Sequence, residues 1–280
     1  MRIHLYTLSW NEMKMLGFFF RHYDPWVERY VFFDDGSNDG TLDVLRNHPR
    51  VEVRRFERHV ADSFVLSSQH LNDHVWKESR SLADWVIISA VDEHFYHRDL
   101  PAYLESARRA GVTAIPGLGY QMVSAEFPGS AEELTRTRTR GAPERRWNKL
   151  NLFNPDAVEE TNYSVGRHKA QPKGEIVYPE IDELLILHYK YIGFDYLRSR
   201  HALLATGLGK TDRRRRWGKQ FDLPDIELSN KLAELEKHAV DSSKLNEPGQ
   251  SHPLGTRWWR SNSTSLSSSL PLTTGNSASS

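Results

Sequence analysis

Residues 31–41 read VFFDDGSNDGT. The stretch begins with an apolar run typical of a buried strand and then passes into two adjacent carboxylates, Asp34 and Asp35. Two glycines follow within four residues of polar sequence, and glycine permits the left-handed backbone of a tight turn. Ligands of open α/β sheets bind beyond the carboxyl ends of the strands. The stretch therefore predicts an α/β fold with a ligand site at Asp34 and Asp35.

Two other interpretations of this stretch are weaker. Asp35, Ser37 and Asp39 match the first half of a calcium-binding EF-hand loop, but the twelfth position, which requires a bidentate Glu, is Arg46. Alternatively, Ser37 or Asp39 caps the helix that follows. A cap accounts for one polar residue and leaves the adjacent carboxylates Asp34 and Asp35 unexplained.

The pattern repeats at residues 85–95, WVIISAVDEHF, where an apolar strand ends in Asp92 and Glu93. Ser9 and Glu12 have the spacing of a capping box, which predicts a helix that ends near Pro25. Further strands are predicted over 3–8, 51–56, 111–116 and 184–191, and further helices over 42–47, 64–80, 99–110, 194–208 and 226–240. Strands that alternate with helices favour a doubly wound, largely parallel sheet.

Residues 31–41 resemble the Asp-Asp-Gly-Ser-x-Asp-Gly-Thr signature of family 2 glycosyltransferases, in their bacterial form. The resemblance implies the GT-A fold: α/β and Rossmann-like, with a mostly parallel sheet flanked by helices and a C-terminal helical extension. It places a nucleotide-sugar-binding and catalytic domain at 1–200 and the helical extension at 201–260. The Ser, Thr and Asn composition of 261–280 predicts a disordered tail. The implied reaction transfers a sugar from a UDP- or GDP-sugar to an acceptor.

The same resemblance implies a divalent cation, Mn²⁺ or Mg²⁺, bound at the end of the strand in 85–95. Members of the family carry an Asp-x-Asp motif there, and this chain has Ala90 and Asp92 at the two acidic positions. Many such enzymes also supply a late His, to which His188 corresponds. We therefore expect Asp92 and His188 to be the metal ligands, with metal dependence weakened by Ala90.

Donor-binding residues are predicted in three places. Asn11 and Glu12 follow the first strand, Asp34 and Asp35 follow the second, and a later basic stretch supplies phosphate ligands at Lys149, His168 and Lys169, next to Arg167. Each basic residue reads equally well as part of a solvated loop. Asp182 and Glu183 are candidates for the general base, as is Glu126, because the family's usual base motif is not visible.

The composition limits the kinds of site and the localisation that the chain can have. The chain has 280 residues, 37 Lys and Arg against 37 Asp and Glu, and no cysteine, which excludes disulfides and thiolate metal sites. No apolar run approaches the ~18 residues of a membrane span, so we expect a cytoplasmic protein, with contact at the inner membrane face left open. Arg213 to Arg216 form a basic run that reads as a solvated helix end, with nucleic acid or anionic lipid as the alternatives.

Four other functions are alternatives to a glycosyltransferase. A catalytically degenerate nucleotide-sugar-binding protein is compatible with Ala90. A nucleotidyltransferase would need a glycine-rich loop where this chain has SWNE at 9–12, and a phosphatase would need a residue between Asp34 and Asp35. Nucleic-acid binding would rest on the arginine run alone. The expected partners are a nucleotide-sugar donor and a glycan, lipid-linked or protein acceptor of polysaccharide biosynthesis, and no nucleic acid.

Overall fold

The computed structural model describes residues 1–260, so the predicted disordered tail at 261–280 lies outside the described residues. The strands are β1 (Ile3–Ser9), β2 (Arg29–Asp34), β3 (Val51–Arg55), β4 (Trp85–Ile88), β5 (Glu93–Tyr96), β6 (Ala114–Ser124), β7 (Arg140–Pro143), β8 (Lys149–Phe153), β9 (Val158–Glu160), β10 (Lys173–Gly174), β11 (Leu185–Ile192) and β12 (Val240–Asp241). The α-helices are α1 (Met13–Tyr23), α2 (Thr41–Asn47), α3 (Phe64–His74), α4 (Leu100–Arg109), α5 (Leu134–Thr137), α6 (Phe194–Thr206), α7 (Lys210–Arg214) and α8 (Asp225–His238).

The N-terminal half of the main sheet is parallel, in the order β3, β2, β1, β4. Ser9 at the end of β1 is in register with Asp34 at the end of β2. β1, β2 and β4 are buried over nearly their whole length, as expected for strands covered on both faces by helices. Their carboxyl ends therefore open at one edge of the sheet.

The other half of the sheet is mixed. β8 runs antiparallel between β4 and β6, and β6 pairs in parallel with β11 and antiparallel with β7. β11 also pairs with β5, and β12 extends the sheet beyond β7. This architecture confirms the predicted α/β class, with helices flanking a sheet that is parallel in its N-terminal half, and it is consistent with a GT-A fold.

Helix α1 covers one face of the parallel half with an aromatic cluster. Phe19 is fully buried, and its ring centroid lies 5.6 Å from that of Phe32 in β2. Tyr23 is also fully buried and packs 4.7 Å from Phe19. Burial of each such ring stabilises the fold by about 1.5–3 kcal/mol. The apolar residues that the sequence places at helical spacing in α1 are thus the ones that pack on the sheet.

Two local predictions are wrong. Ser9 does not cap a helix, because pairing with β2 extends β1 through Ser9, and α1 begins only at Met13 without a side-chain cap. The single helix predicted over 64–80 is an α-helix to His74 followed by a 3-10 turn, Val75–Ser79. Strand pairing overrode the local capping pattern in the first case.

Candidate functional site

The carboxyl ends of β1, β2 and β4 bring three predicted acidic segments to one edge of the sheet. Asp34 ends β2, and the segments that leave the three strands carry Glu12, Asp35 and Asp92. Parallel pairing of the three strands places the loops side by side. This edge is the candidate site.

Asp34 is used mainly by its own turn. One carboxylate oxygen accepts hydrogen bonds from the backbone N–H groups of Gly36 at 2.9 Å and Ser37 at 2.8 Å, and the other accepts from the Ser37 hydroxyl at 2.5 Å. The Ser9 hydroxyl donates to the same oxygen at 3.4 Å. Asp34 is 5% exposed, so it shapes the turn and offers little surface to a ligand.

Asp35 faces a cleft of about 1090 Å³ beside the ends of β2 and β3. Its carboxylate pairs with Arg58 Nη2 at 2.7 Å, which leaves the second oxygen available. The charge of the cleft is nearly balanced, with four arginines and three carboxylates. Its charged lining side chains are Arg46, Arg54, Arg55, Arg58, Asp34, Asp35 and Glu57.

Asn11 ties the loop after β1 to the loop after β2. Its backbone has φ of 53°, in the left-handed region that Asn tolerates better than most residues. Its N–H donates to the Ser37 hydroxyl at 2.8 Å, and its side-chain oxygen accepts from Asn38 N–H at 2.8 Å. Asn11 therefore positions the acidic turn.

Glu12 is buried at 8% exposure, and its carboxylate contacts the guanidinium of Arg200 from α6. Burial raises the pKa of Glu12 to about 8, and although Arg200 opposes this shift, the nearby Asp92 and Asp39 carboxylates add to it. The contact fastens α6 over the candidate site. Arg200 was not predicted, since a residue 188 positions away gives no local signal.

Asp92 and His188 lie together, as expected of a shared site. Asp92 Oδ2 is 3.3 Å from His188 Nε2, and the Asp92 carbonyl accepts from Tyr189 N–H at 2.7 Å. Burial raises the pKa of Asp92, but the His188 charge and hydrogen bond outweigh burial and lower it to about 2. Asp92 is thus an anion over the whole physiological range.

Two residues that the sequence did not reveal hold the His188 ring. Gln121, its register neighbour on β6, presents its amide oxygen 2.6 Å from His188 Nδ1, and this contact places the proton on Nδ1. The indole of Trp147 stacks on the imidazole at a centroid distance of 4.6 Å and an angle of 21°. Nε2 therefore faces Asp92: it donates a hydrogen bond to the carboxylate when the ring is charged and presents a lone pair to it when the ring is neutral.

Asp92 and His188 supply two ligands of the kinds that divalent cations take. A carboxylate oxygen and an imidazole nitrogen are suitable ligands for Mn²⁺, and a metal-binding His characteristically donates its other N–H to an acceptor such as Gln121. Within residues 1–260, no three His, Cys, Asp or Glu side chains are grouped closely enough to complete a metal site by themselves. Water and ligand phosphate would therefore supply the remaining positions.

Glu93, next to Asp92, is enclosed by basic groups. Its oxygens lie 2.6 Å from Lys149 Nζ and 3.2 Å from Arg167 Nη2, and Asn151 Nδ2 donates at 3.2 Å. Burial opposes ionisation of Glu93, but Lys149, Arg167 and His188 outweigh it and hold its pKa well below the ordinary value. Lys149, predicted as a phosphate ligand, is 4% exposed and has its charge satisfied by Glu93.

The other predicted phosphate ligands are placed differently. His168 Nδ1 hydrogen-bonds the Arg146 carbonyl at 2.6 Å, and its ring lies 5.3 Å from that of Trp147. Burial lowers the pKa of His168 to about 4, so the ring is neutral near pH 7. The Lys169 side chain is exposed.

Asp182 and Glu183 are not brought to Asp92. Leu185 at the start of β11 pairs with Tyr96, whereas His188 pairs with Glu93, so the strand carries Asp182 away from the candidate site. The buried Asp182 carboxylate instead anchors the C-terminal segment. It accepts from Arg257 at 2.9 Å, Trp259 at 3.0 Å and Arg260 at 2.7 Å. These ion pairs weigh against Asp182 as a general base, and the assignment of either residue stays a prediction.

No protein-family model matches the chain, and no curated protein sequence matches it. Among solved structures, it is similar to a crystal structure of S. aureus TarS residues 1–349, with 12% sequence identity and a TM-score of 0.38. The match covers 84% of this chain and 70% of that chain. A similarity with this identity and TM-score shows neither the family nor the function of the chain. Across residues 1–260, no helix combines the length and apolar character required to cross a bilayer.

Proposed function

We propose that the chain is a glycosyltransferase that binds a nucleotide-sugar donor at the carboxyl edge of β1, β2 and β4. The proposal rests on the resemblance of residues 31–41 to the family 2 signature and on the arrangement of this edge. The observation that carries it is the pair formed by Asp92 and His188, 3.3 Å apart, with the imidazole oriented by Gln121. A carboxylate and an oriented imidazole at strand ends form a binding site for a cation that accompanies a diphosphate.

The cleft beside Asp35 is the proposed binding site of the nucleotide. Its volume of about 1090 Å³ exceeds the upper end of ordinary ligand pockets, so a nucleoside diphosphate can enter it. The free oxygen of Asp35 can accept hydrogen bonds from base or ribose. The guanidinium groups of Arg46 and Arg55, which line the cleft, match phosphate oxygens in charge and geometry. Arg54 and Arg58 also line it, but they already pair with Glu78 and Asp35.

Asp92 and His188 would hold the divalent cation, Mn²⁺ or Mg²⁺. When bound, the ion neutralises negative charge on the diphosphate that leaves the sugar. Gln121 keeps the proton on Nδ1 of His188, and Trp147 prevents rotation of the ring. The acceptor class remains that expected from the resemblance: a glycan, a lipid-linked sugar or a protein.

A second candidate is a protein that binds nucleotide-sugars without turnover. It is favoured by Ala90, which removes one carboxylate from the family's metal motif, and by the engagement of Lys149 with Glu93. Such a protein would take up a nucleotide-sugar but would not release nucleotide from it.

The test is calorimetric titration of UDP and then GDP, each with and without Mn²⁺, against wild type and Asp92→Ala. Asp225→Ala, at an exposed carboxylate that pairs with Arg198, is the matched control. We expect Mn²⁺-dependent binding of one nucleotide that is lost in Asp92→Ala and kept in Asp225→Ala. Binding that ignores both Mn²⁺ and Asp92 would favour a metal-independent protein, and no binding of either nucleotide would refute the donor site. Release of nucleotide from the matching nucleotide-sugar then separates the enzyme from the binding protein.

A further inference from the structure

Six exposed Lys and Arg side chains lie in a ten-residue segment, 210–219, that follows α6. We call this set the basic platform. Its members are Lys210, Arg213, Arg214, Arg215, Arg216 and Lys219. Within residues 1–260, none of the six lies within ion-pairing distance of a carboxylate. The chain as a whole has equal numbers of acidic and basic residues, so the platform is a local excess of charge.

The platform is held rigidly. Asp212, fully buried, accepts hydrogen bonds from the Ser63 hydroxyl at 2.5 Å and from the N–H groups of Phe64 at 2.8 Å and Gly209 at 3.0 Å. Thr211 adds a hydrogen bond to Asp62 at 2.8 Å. These hydrogen bonds hold α7 against the beginning of α3. The position of the arginines in and after α7 is therefore set by these contacts.

Among the four arginines of the platform, two side chains have local partners and two do not. Arg213 donates to the Ala205 carbonyl at 2.6 Å, and Arg215 lies over the ring of Trp217 at 5.0 Å. The side chains of Arg214 and Arg216 make no hydrogen bond, ion pair or ring contact with any residue of 1–260. Their guanidinium groups are therefore available to an external anion.

The platform adjoins the candidate donor cleft. The carbonyl of Gly207, in the connection between α6 and α7, accepts from Arg58 Nη1 at 3.0 Å, and the same guanidinium pairs with Asp35. A surface bound by the platform would therefore lie beside the mouth of the proposed active site.

We propose that the basic platform docks the protein on an anionic phospholipid surface. Clusters of four to eight Lys and Arg are sufficient for attraction to anionic headgroups, and each such residue near the surface contributes to binding. Single-stranded nucleic acid fits less well, because binding to it uses exposed aromatic faces, and the Trp217 ring is covered by Arg215.

The test is flotation of the full chain with vesicles of phosphatidylcholine alone and vesicles that also contain phosphatidylglycerol. We expect binding only to the anionic vesicles, weakened by added salt. Arg214→Ser with Arg216→Ser should reduce the partition coefficient on the order of 30-fold, since two charges are removed. Arg214→Lys with Arg216→Lys should keep most of the binding, because the charge is retained.

The matched control is Arg109→Ser with Arg136→Ser, which removes two exposed charges from α4 and α5. It should float like wild type. Equal loss in both double variants would overturn the proposal, as would unchanged flotation of Arg214→Ser with Arg216→Ser. Arginine-dependent binding to single-stranded RNA without binding to anionic vesicles would overturn it in favour of nucleic acid. Nucleotide titration of the same variants keeps this test separate from that of the donor site.

Discussion

Glu93 and Lys149 form an ion pair sealed from water, with Oε1 2.6 Å from Nζ and side chains that are 2% and 5% exposed. The pair links the start of β5 to the start of β8, and Glu93 directly follows Asp92 in the chain. Arg167 adds a second positive charge at 3.2 Å from the other carboxylate oxygen. The segment that carries Asp92 is thus fixed by buried charge as well as by strand pairing.

Glu93→Gln should strongly destabilise the fold, because it leaves Lys149 and Arg167 buried without their counter-charge. The expected loss is about 3–5 kcal/mol in the free energy of unfolding, measured by urea titration at neutral pH. Adding Lys149→Met should recover part of this loss. Glu105→Gln, at an exposed carboxylate paired with Arg108, is the control and should change little. A Glu93→Gln protein as stable as that control would show that the buried cluster contributes nothing.

The sequence predicts some strands near this cluster but not the cluster itself. The apolar run that ends in carboxylates identified the end of β2, because burial on both faces of a parallel sheet leaves a continuous apolar signal. The second run was only partly right, since β4 ends at Ile88 and Glu93 begins the separate strand β5. The partners of Glu93 lie 56 and 74 residues away, and one of them is in a 3-10 turn with no periodic pattern. Contacts of that kind arise only from tertiary packing.

The same dependence on tertiary packing explains why some of the predicted site residues come together and others do not. Asp92 and His188 meet because each occupies a position on or next to paired strands. Asp182, only six residues before His188, belongs to another part of the molecule because an extended strand moves about 3.3 Å per residue. Gln121 and Trp147 gave no signal, since their role depends on the register of β6 against β11 and on a contact across the sheet.

Gln121→Leu should weaken Mn²⁺-dependent nucleotide binding by about 10–100-fold, because the His188 proton loses its acceptor and the ring its fixed tautomer. Nucleotide affinity without Mn²⁺ should not change. Gln121→Glu should restore most of the metal-dependent binding, since a carboxylate also accepts from Nδ1. Calorimetry with and without Mn²⁺ measures all three proteins. Equal metal-dependent affinity for wild type and Gln121→Leu would remove Gln121 from the site.

Asp212→Asn should loosen the connection between α7 and the start of α3. The substituted amide keeps one acceptor but directs an NH₂ group at donors such as Phe64 N–H and Gly209 N–H. Loss of these bonds and of the negative charge near the α3 N-terminus should cost about 2 kcal/mol of unfolding free energy. Hydrogen exchange should accelerate first in 207–217. Asp222→Asn, at an exposed carboxylate, should leave both measurements unchanged.

Acid should destabilise the protein through the buried His94, which stacks on the half-buried His22. The rings of His22 and His94 lie 4.7 Å apart at an angle of 3°, and neither nitrogen of His94 has a hydrogen-bond partner within residues 1–260. Burial lowers the pKa of His22 to about 4 and that of His94 well below 6.5, with repulsion from His22 adding to the latter.

Because both rings stay neutral in the folded state while the unfolded chain takes up protons below pH 6.5, stability should fall from pH 6.5 toward pH 4. The expected loss is up to about 1.4 kcal/mol per pH unit for each histidine. His94→Phe keeps a ring in the stack and removes one titrating group, so its unfolding free energy should fall by about 2 kcal/mol less than that of wild type between pH 6.5 and 5. His238→Phe, at an exposed histidine, should retain the wild-type slope. Identical pH slopes for wild type and His94→Phe in urea titrations would contradict the assignment.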